Sequence, residues 1–293
     1  MIKTFLLGLG AQKAGTTWVY QYLHDHPECA MGRDKELSTL LEYFGNKTNT
    51  AWKLKRLEAL EDVCKKTRWR LKTDQASSQE MQGLLERIEG FTATFDIDHY
   101  LNYFARRLAA NPDAHLVGDI TPEYCTFSAE ELEKIKSFLE AEGYNVKVLF
   151  LMRDPVERCY SGLRMAYRRA LKKQVDVARL PHEGFVESAT AEWCQLRTRY
   201  ENIVPRIEEV FAPENRHIAF FESLFSQQGI MDLCGFLGIS YKEVNFEKRV
   251  NTSPRLAEPE AEAWAEVRLE YKDTYDYCAE KFGSKIISEL WFS

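Results

Sequence analysis

Apolar and polar positions alternate along this chain in blocks that predict an α/β protein. Phe5-Leu6-Leu7 is a short apolar run halted by Gly8 and Gly10, and from Thr16 the apolar positions recur at helical spacing. The first unit is therefore a buried strand, a tight loop and a helix that ends near His26-Pro27, since proline disfavours helix in the residue before it. Further helices are predicted over Ser38–Phe44, Ser77–Gly90, Asp96–Ala110 and Ser128–Glu142, the last opened by a Ser128/Glu131 capping box and closed by Gly143. Short strands are predicted at Ala114–Val117 and His217–Phe221. The nearly continuous apolar run Val146–Met152 has the character of a strand in the middle of a parallel sheet. Pro155 suits the first turn of the helix that follows it. Later helices are expected over Ala191–Phe211, interrupted at Pro205, over Ser223–Leu237, and over a long stretch from about Pro259 to Phe282.

This order predicts one domain over residues 1–293, with a helical insertion at about 45–112 after the first βα unit. Inside the insertion, Trp52 to Lys72 carries Lys53, Lys55, Arg56, Lys65, Lys66, Arg68, Arg70 and Lys72 against Glu58, Glu61 and Asp62. Two readings stand: an amphipathic, charge-rich helix, or a surface for an anionic acceptor. Composition is ordinary for a globular protein, with 45% apolar and 29% charged residues. Net charge is 39 minus 45, or −6, which argues against general nucleic-acid binding and requires any anion site to be built locally. Seven scattered cysteines without a C-x-x-C pair are expected to be reduced, in a cytoplasmic protein, and suggest no metal site. The N-terminal apolar run is shorter than a secretory core of roughly 7–15 residues, and no stretch has the roughly 20 apolar residues of a membrane span.

The chemistry concentrates in two places. Gly10, then AQKA, then Gly15-Thr16-Thr17 keeps the G-x-x-x-x-G spacing of a phosphate-binding loop, in which backbone N–H groups and a helix N-terminus face an anion. A nucleotide triphosphatase or kinase would carry lysine where Thr16 stands; the only lysine of this loop is Lys13. At the end of the central strand Arg153-Asp154-Pro155 follows, and an arginine there projects to the edge where α/β sheets bind ligands, with a planar fork suited to a phosphate monoester. Its bland alternative is a salt bridge to Asp154 or Glu157.

Together QKAGTTW and RDPVERCYSGL resemble the sulfotransferases that use 3′-phosphoadenosine 5′-phosphosulfate (PAPS) and release 3′-phosphoadenosine 5′-phosphate (PAP). The resemblance implies a three-layer P-loop-like fold with a central parallel sheet flanked by helices. It implies donor contacts from Lys13, Ala14, Gly15, Thr16, Thr17 and Trp18 at the 5′ end, and from Arg153, Ser161 and Arg255 at the 3′-phosphate, with Asn251 beside Arg255. Lys13 would also act on the leaving group, and Glu36, in a K-E turn, would be the general base, with Asp34 and Asp119 as rivals. Lys35, Asp119, Thr121 and Tyr124 are implied acceptor contacts, the last three from a G-D-x-T-P-x-Y turn. No metal is implied. The resemblance implies as acceptor a hydroxyl or amine on a carbohydrate or another small metabolite. The competing functions are a P-loop kinase and a binding protein that keeps the donor site without catalysis.

Overall fold

The computed structural model describes residues 3–45, 50–73, 75, 77–172, 183–244, 246 and 259–292. In chain order they form β1 (Lys3–Gly10), α1 (Thr16–His24), α2 (Thr39–Tyr43), α3 (Thr50–Lys72), α4 (Ser78–Thr92), α5 (Ile97–Ala110), β2 (Leu116–Ile120), α6 (Ala129–Ala141), β3 (Tyr144–Met152) and α7 (Pro155–Lys172). Then come α8 (Glu183–Thr190), α9 (Glu192–Gln195), α10 (Tyr200–Val210), β4 (Arg216–Phe220), α11 (Phe221–Leu224), α12 (Gln227–Leu237), α13 (Ala261–Glu270), α14 (Lys272–Phe282) and α15 (Ser284–Trp291). The four strands make a central parallel sheet in the order β2-β1-β3-β4, flanked by helices, as the sequence predicts. β1, β2 and β3 are buried almost end to end, the pattern of strands covered on both faces, while the edge strand β4 is half-buried except at Phe220.

The chain packs as two compact units, one of residues 1–7, 20–121 and 130–146, the other of residues 8–19, 122–129 and 147–293. The first holds α2 to α6 and β2. Its core is aromatic: Phe5 meets Phe104 edge-on at 5.0 Å and Tyr144 at 5.4 Å, and Tyr100 meets Phe104 at 5.0 Å. In the second unit β3 pairs in parallel with β4, Val148 opposite Arg216 through Met152 opposite Phe220.

Several expected boundaries need correction. Gly118 to Ile120 belong to β2, not to a turn, because a Cβ at Gly118 would stand 2.5 Å from the carbonyl oxygen of Leu6; only glycine allows the strands to pack this closely. Gly118→Ala should accordingly cost about 1–3 kcal/mol and lower Tm by roughly 2–4 °C per kcal/mol. A melting curve superposable on wild type would contradict this packing.

The helix predicted over Ala191–Phe211 breaks at residues 196–199, not at Pro205. There the Thr198 hydroxyl donates to the Cys194 carbonyl at 2.6 Å, while Pro205 sits inside α10, whose buried Ile203, Val204, Ile207 and Val210 hold the helix across it. The long terminal helix divides at Tyr271 (φ −97°), whose buried hydroxyl donates to the Ala189 carbonyl at 2.6 Å. Ser223–Leu237 is two helices, the second started by the Ser226 side chain accepting from the Gly229 N–H.

Candidate functional site

The loop from β1 to α1 lies in the second unit, and so does the β3–α7 corner. Gly15 takes φ +86° and Lys13 φ +75°, a left-handed conformation that costs a residue with a Cβ about 1–2 kcal/mol. Among the described non-glycine residues only Lys13, Glu36 and Ser38 have positive φ. Two of those three are the residues singled out for catalysis, and strain held by its surroundings is typical of functional positions. Nothing in the sequence motif alone gave that signal.

The structure brings Lys13 and Arg153 together. Arg153 Nη1 donates to the Lys13 carbonyl at 3.3 Å, and Nη2 pairs with Glu157 at 3.0 Å. The Arg153 guanidinium also stands 4.7 Å over the Phe221 ring. Both the predicted salt bridge and the predicted approach to the loop are therefore present. The backbone of Arg153 is clamped by Tyr200, whose hydroxyl accepts from the Arg153 N–H at 3.2 Å and donates to its carbonyl at 2.8 Å.

Asp154 starts α7 by accepting from the Glu157 N–H at 2.9 Å, receives the Tyr275 hydroxyl at 3.0 Å, and burial raises its carboxyl above the ordinary range. Glu222 accepts from the Asp154 N–H at 3.1 Å and from Trp291 Nε1 at 3.2 Å.

Lys13 is the most informative group. Burial, followed by the positive charges of Arg168, Arg153, Arg164 and Arg169, pushes its ammonium down to about 8. Clustered positive charge of this kind attracts anions, so the loop's surroundings suit a phosphate-bearing ligand.

Behind the loop, Arg158 is fully buried. It donates through Nη1 to the Gln12 carbonyl at 3.3 Å and through Nη2 to Cys194 Sγ at 2.8 Å. The Cys159 and Cys194 sulfurs are 3.4 Å apart. The hydrogen bond from Cys159, with Arg158 adding its charge against the effect of burial, lowers the Cys194 thiol below its ordinary value. Arg158, Tyr200 and Glu222 escaped sequence reasoning because their roles are contacts between segments far apart in the chain.

The remaining expected residues fall as follows. Ala14 is buried and its N–H donates to the Ala11 carbonyl at 3.2 Å; Thr16 and Thr17 open α1. Trp18 is 7% exposed, edge-on to Phe225 at 5.4 Å and nearly parallel to Phe246 at 6.3 Å. Ser161 is buried on α7, and Tyr124 is buried in the second unit. Arg255 and Asn251 lie outside the described residues.

In the first unit, Lys35 Nζ pairs with Glu36 Oε1 at 2.8 Å, while Asp34 pairs with Arg56 at 2.9 Å. Asp119 is 3% exposed and accepts from the Thr121 hydroxyl at 2.8 Å, the Leu37 N–H at 3.3 Å and the Tyr100 hydroxyl at 3.3 Å. It thus holds the residue that follows Glu36. Among the described residues no three His, Cys, Asp or Glu side chains cluster as metal ligands, and no described helix is long and apolar enough to cross a membrane.

The crystal structure of a sulfotransferase from Alicyclobacillus acidocaldarius has the same fold, with a TM-score of 0.58 at 18% identity over 96% of each chain. A sulfotransferase domain from the curacin biosynthetic pathway aligns over 92% of this chain and 97% of its own, at 16% identity and a TM-score of 0.48. A search of curated proteins found no match. A sequence model of the Sulfotransferase family matches residues 6–243, and the chain, with its P-loop-like sheet and this loop, belongs to that family.

Proposed function

We propose that this protein transfers the sulfuryl group of PAPS to a hydroxyl or amine on a carbohydrate or small metabolite. The observation that carries the reading is the meeting of the Lys13 loop with Arg153 inside a field of arginines. In this scheme Gly15, Thr16 and Thr17 hold the 5′-phosphate at the start of α1, and Ala14, whose N–H is engaged within the loop, shapes the turn. Arg153 and Ser161 take the 3′-phosphate, the group that separates PAPS from ATP. The acceptor oxygen or nitrogen forms its bond to sulfur as the bond from sulfur to the bridging oxygen breaks. Lys13 stabilises the charge that collects on that oxygen, PAP departs, and the acceptor's proton passes to Glu36. Asp119 and Thr121 serve by fixing the turn that presents Glu36, and Lys35 balances its charge.

Calorimetry with PAP and ATP tests the donor assignment. PAP is expected to bind at least about tenfold tighter, from one charge-assisted contact of roughly 1.5–3 kcal/mol, and Arg153→Ala should erase that margin. Equal affinity for the two nucleotides would sink it.

The pH dependence has a definite sign. Lys13 is a base whose pKa lies at about 8, below its ordinary value, and a bound dianion restores the charged form. Binding therefore takes up protons near pH 8, and PAP affinity should weaken as pH rises above about 8, by at most about tenfold per unit. A flat profile from pH 7 to 10 on this scale would remove Lys13 from the phosphate contacts.

A further inference from the structure

Within the first unit, the turn that carries Glu36 and helices α3 and α4 line an open cleft of about 230 Å³. That exceeds the roughly 150 Å³ cavity that accepts a benzene ring, so one ring-sized group is its natural occupant. Its walls are unusual for a protein of net charge −6: Lys35, Lys55, Arg56 and Arg87 face it, against the single carboxylate of Asp34. Asp34 is paired with Arg56, and Lys35 with Glu36. Lys55 and Arg87 have no carboxylate within ion-pair distance among the described residues, which leaves two uncompensated cations at a concave site. Phe91 supplies an apolar wall. Concave positive surface concentrates anions, and a guanidinium fork binds carboxylate and phosphate in two-pronged fashion.

We propose that this cavity is an acceptor subsite for a ring bearing an anionic group, held by Lys55 and Arg87. The assignment names the substrate class for the sulfuryl transfer proposed above and rests on that reading. Lys35 joins the two places: it lines the cavity, and its Nζ is 2.8 Å from the carboxylate of Glu36. A ring anchored by its acid in this cavity thus lies against the side chain that pairs with Glu36.

The test is calorimetry of the whole protein with three probes of one size: glucose, glucuronate and glucose 6-phosphate. The acidic probes should bind about tenfold tighter than glucose, and the margin should shrink at high salt, as screening of a partly exposed charge pair requires. It should vanish in the Lys55→Ala/Arg87→Ala double variant while PAP affinity and the circular dichroism spectrum stay at wild-type values. The stronger of the two acidic probes identifies carboxylate or phosphate ester as the preferred group. Equal affinity for all three, no measurable binding of any at millimolar concentration, or a preference that survives in the double variant overturns the assignment. PAP that fails to bind while the acidic preference persists would refute the donor reading and leave the cavity's specificity standing.

Discussion

Lys13→Ala should lower kcat for sulfuryl transfer by about 10²–10³-fold, the usual consequence of deleting one donor that faces developing charge. PAP affinity should fall less, by about tenfold, because the ground-state phosphate keeps its helix N-terminus and Arg153. The substitution is clean in backbone terms. Alanine meets the same left-handed strain as lysine at φ +75°, and the bond from Arg153 Nη1 goes to the main-chain carbonyl of residue 13, which any residue supplies. An unchanged circular dichroism spectrum alongside single-turnover rates would separate chemistry from folding. If kcat survived, charge on the bridging oxygen would have to be met elsewhere, and the arginines of α7 are the groups positioned to do it.

Glu36→Gln is expected to have a comparable or larger effect, a loss of about 10²–10⁴-fold in kcat with PAP affinity at the wild-type value. The geometry ranks the three carboxylates that sequence left open. Asp119 is buried with three donors on it, and Asp34 is tied to Arg56 at 2.9 Å. The Glu36 side chain keeps 41% of its surface exposed, and it pairs with the neighbouring Lys35. Turnover that persists in Glu36→Gln and disappears in Asp34→Asn would transfer the role to Asp34.

How much of this was legible beforehand follows from where each signal lives. The loop and the β3–α7 corner are local patterns, glycine spacing and a strand that ends in arginine, and a local pattern is readable without coordinates. The meeting of Lys13 with Arg153 was an inference from topology, since both follow parallel strands and so emerge at one edge. Element ends were misplaced where a tertiary bond overrides propensity. Tyr271 divides a helix because its hydroxyl has a partner 82 residues away, and Gly118 lies in a strand because of Leu6, not because of its own neighbours.

The acceptor side was less legible. Asp119 and Thr121 were expected to touch substrate; both are buried, and Asp119 accepts from the Thr121 hydroxyl and the Leu37 N–H, contacts that no local sequence pattern displays. The lysines and arginines of residues 53–72 offered two meanings, and only the position of Arg87 and Asp34 opposite Lys55 and Arg56 gives part of that run a cavity to face.

Arg158, sealed behind the phosphate loop with one prong on Gln12 and the other on sulfur, has a kinetic implication. A receptacle braced from the rear keeps its contour while it waits, so donor capture need not begin with a slow ordering of the chain. On the donor assignment proposed above, encounter, hastened by the surrounding guanidinium groups, would then set the pace of loading.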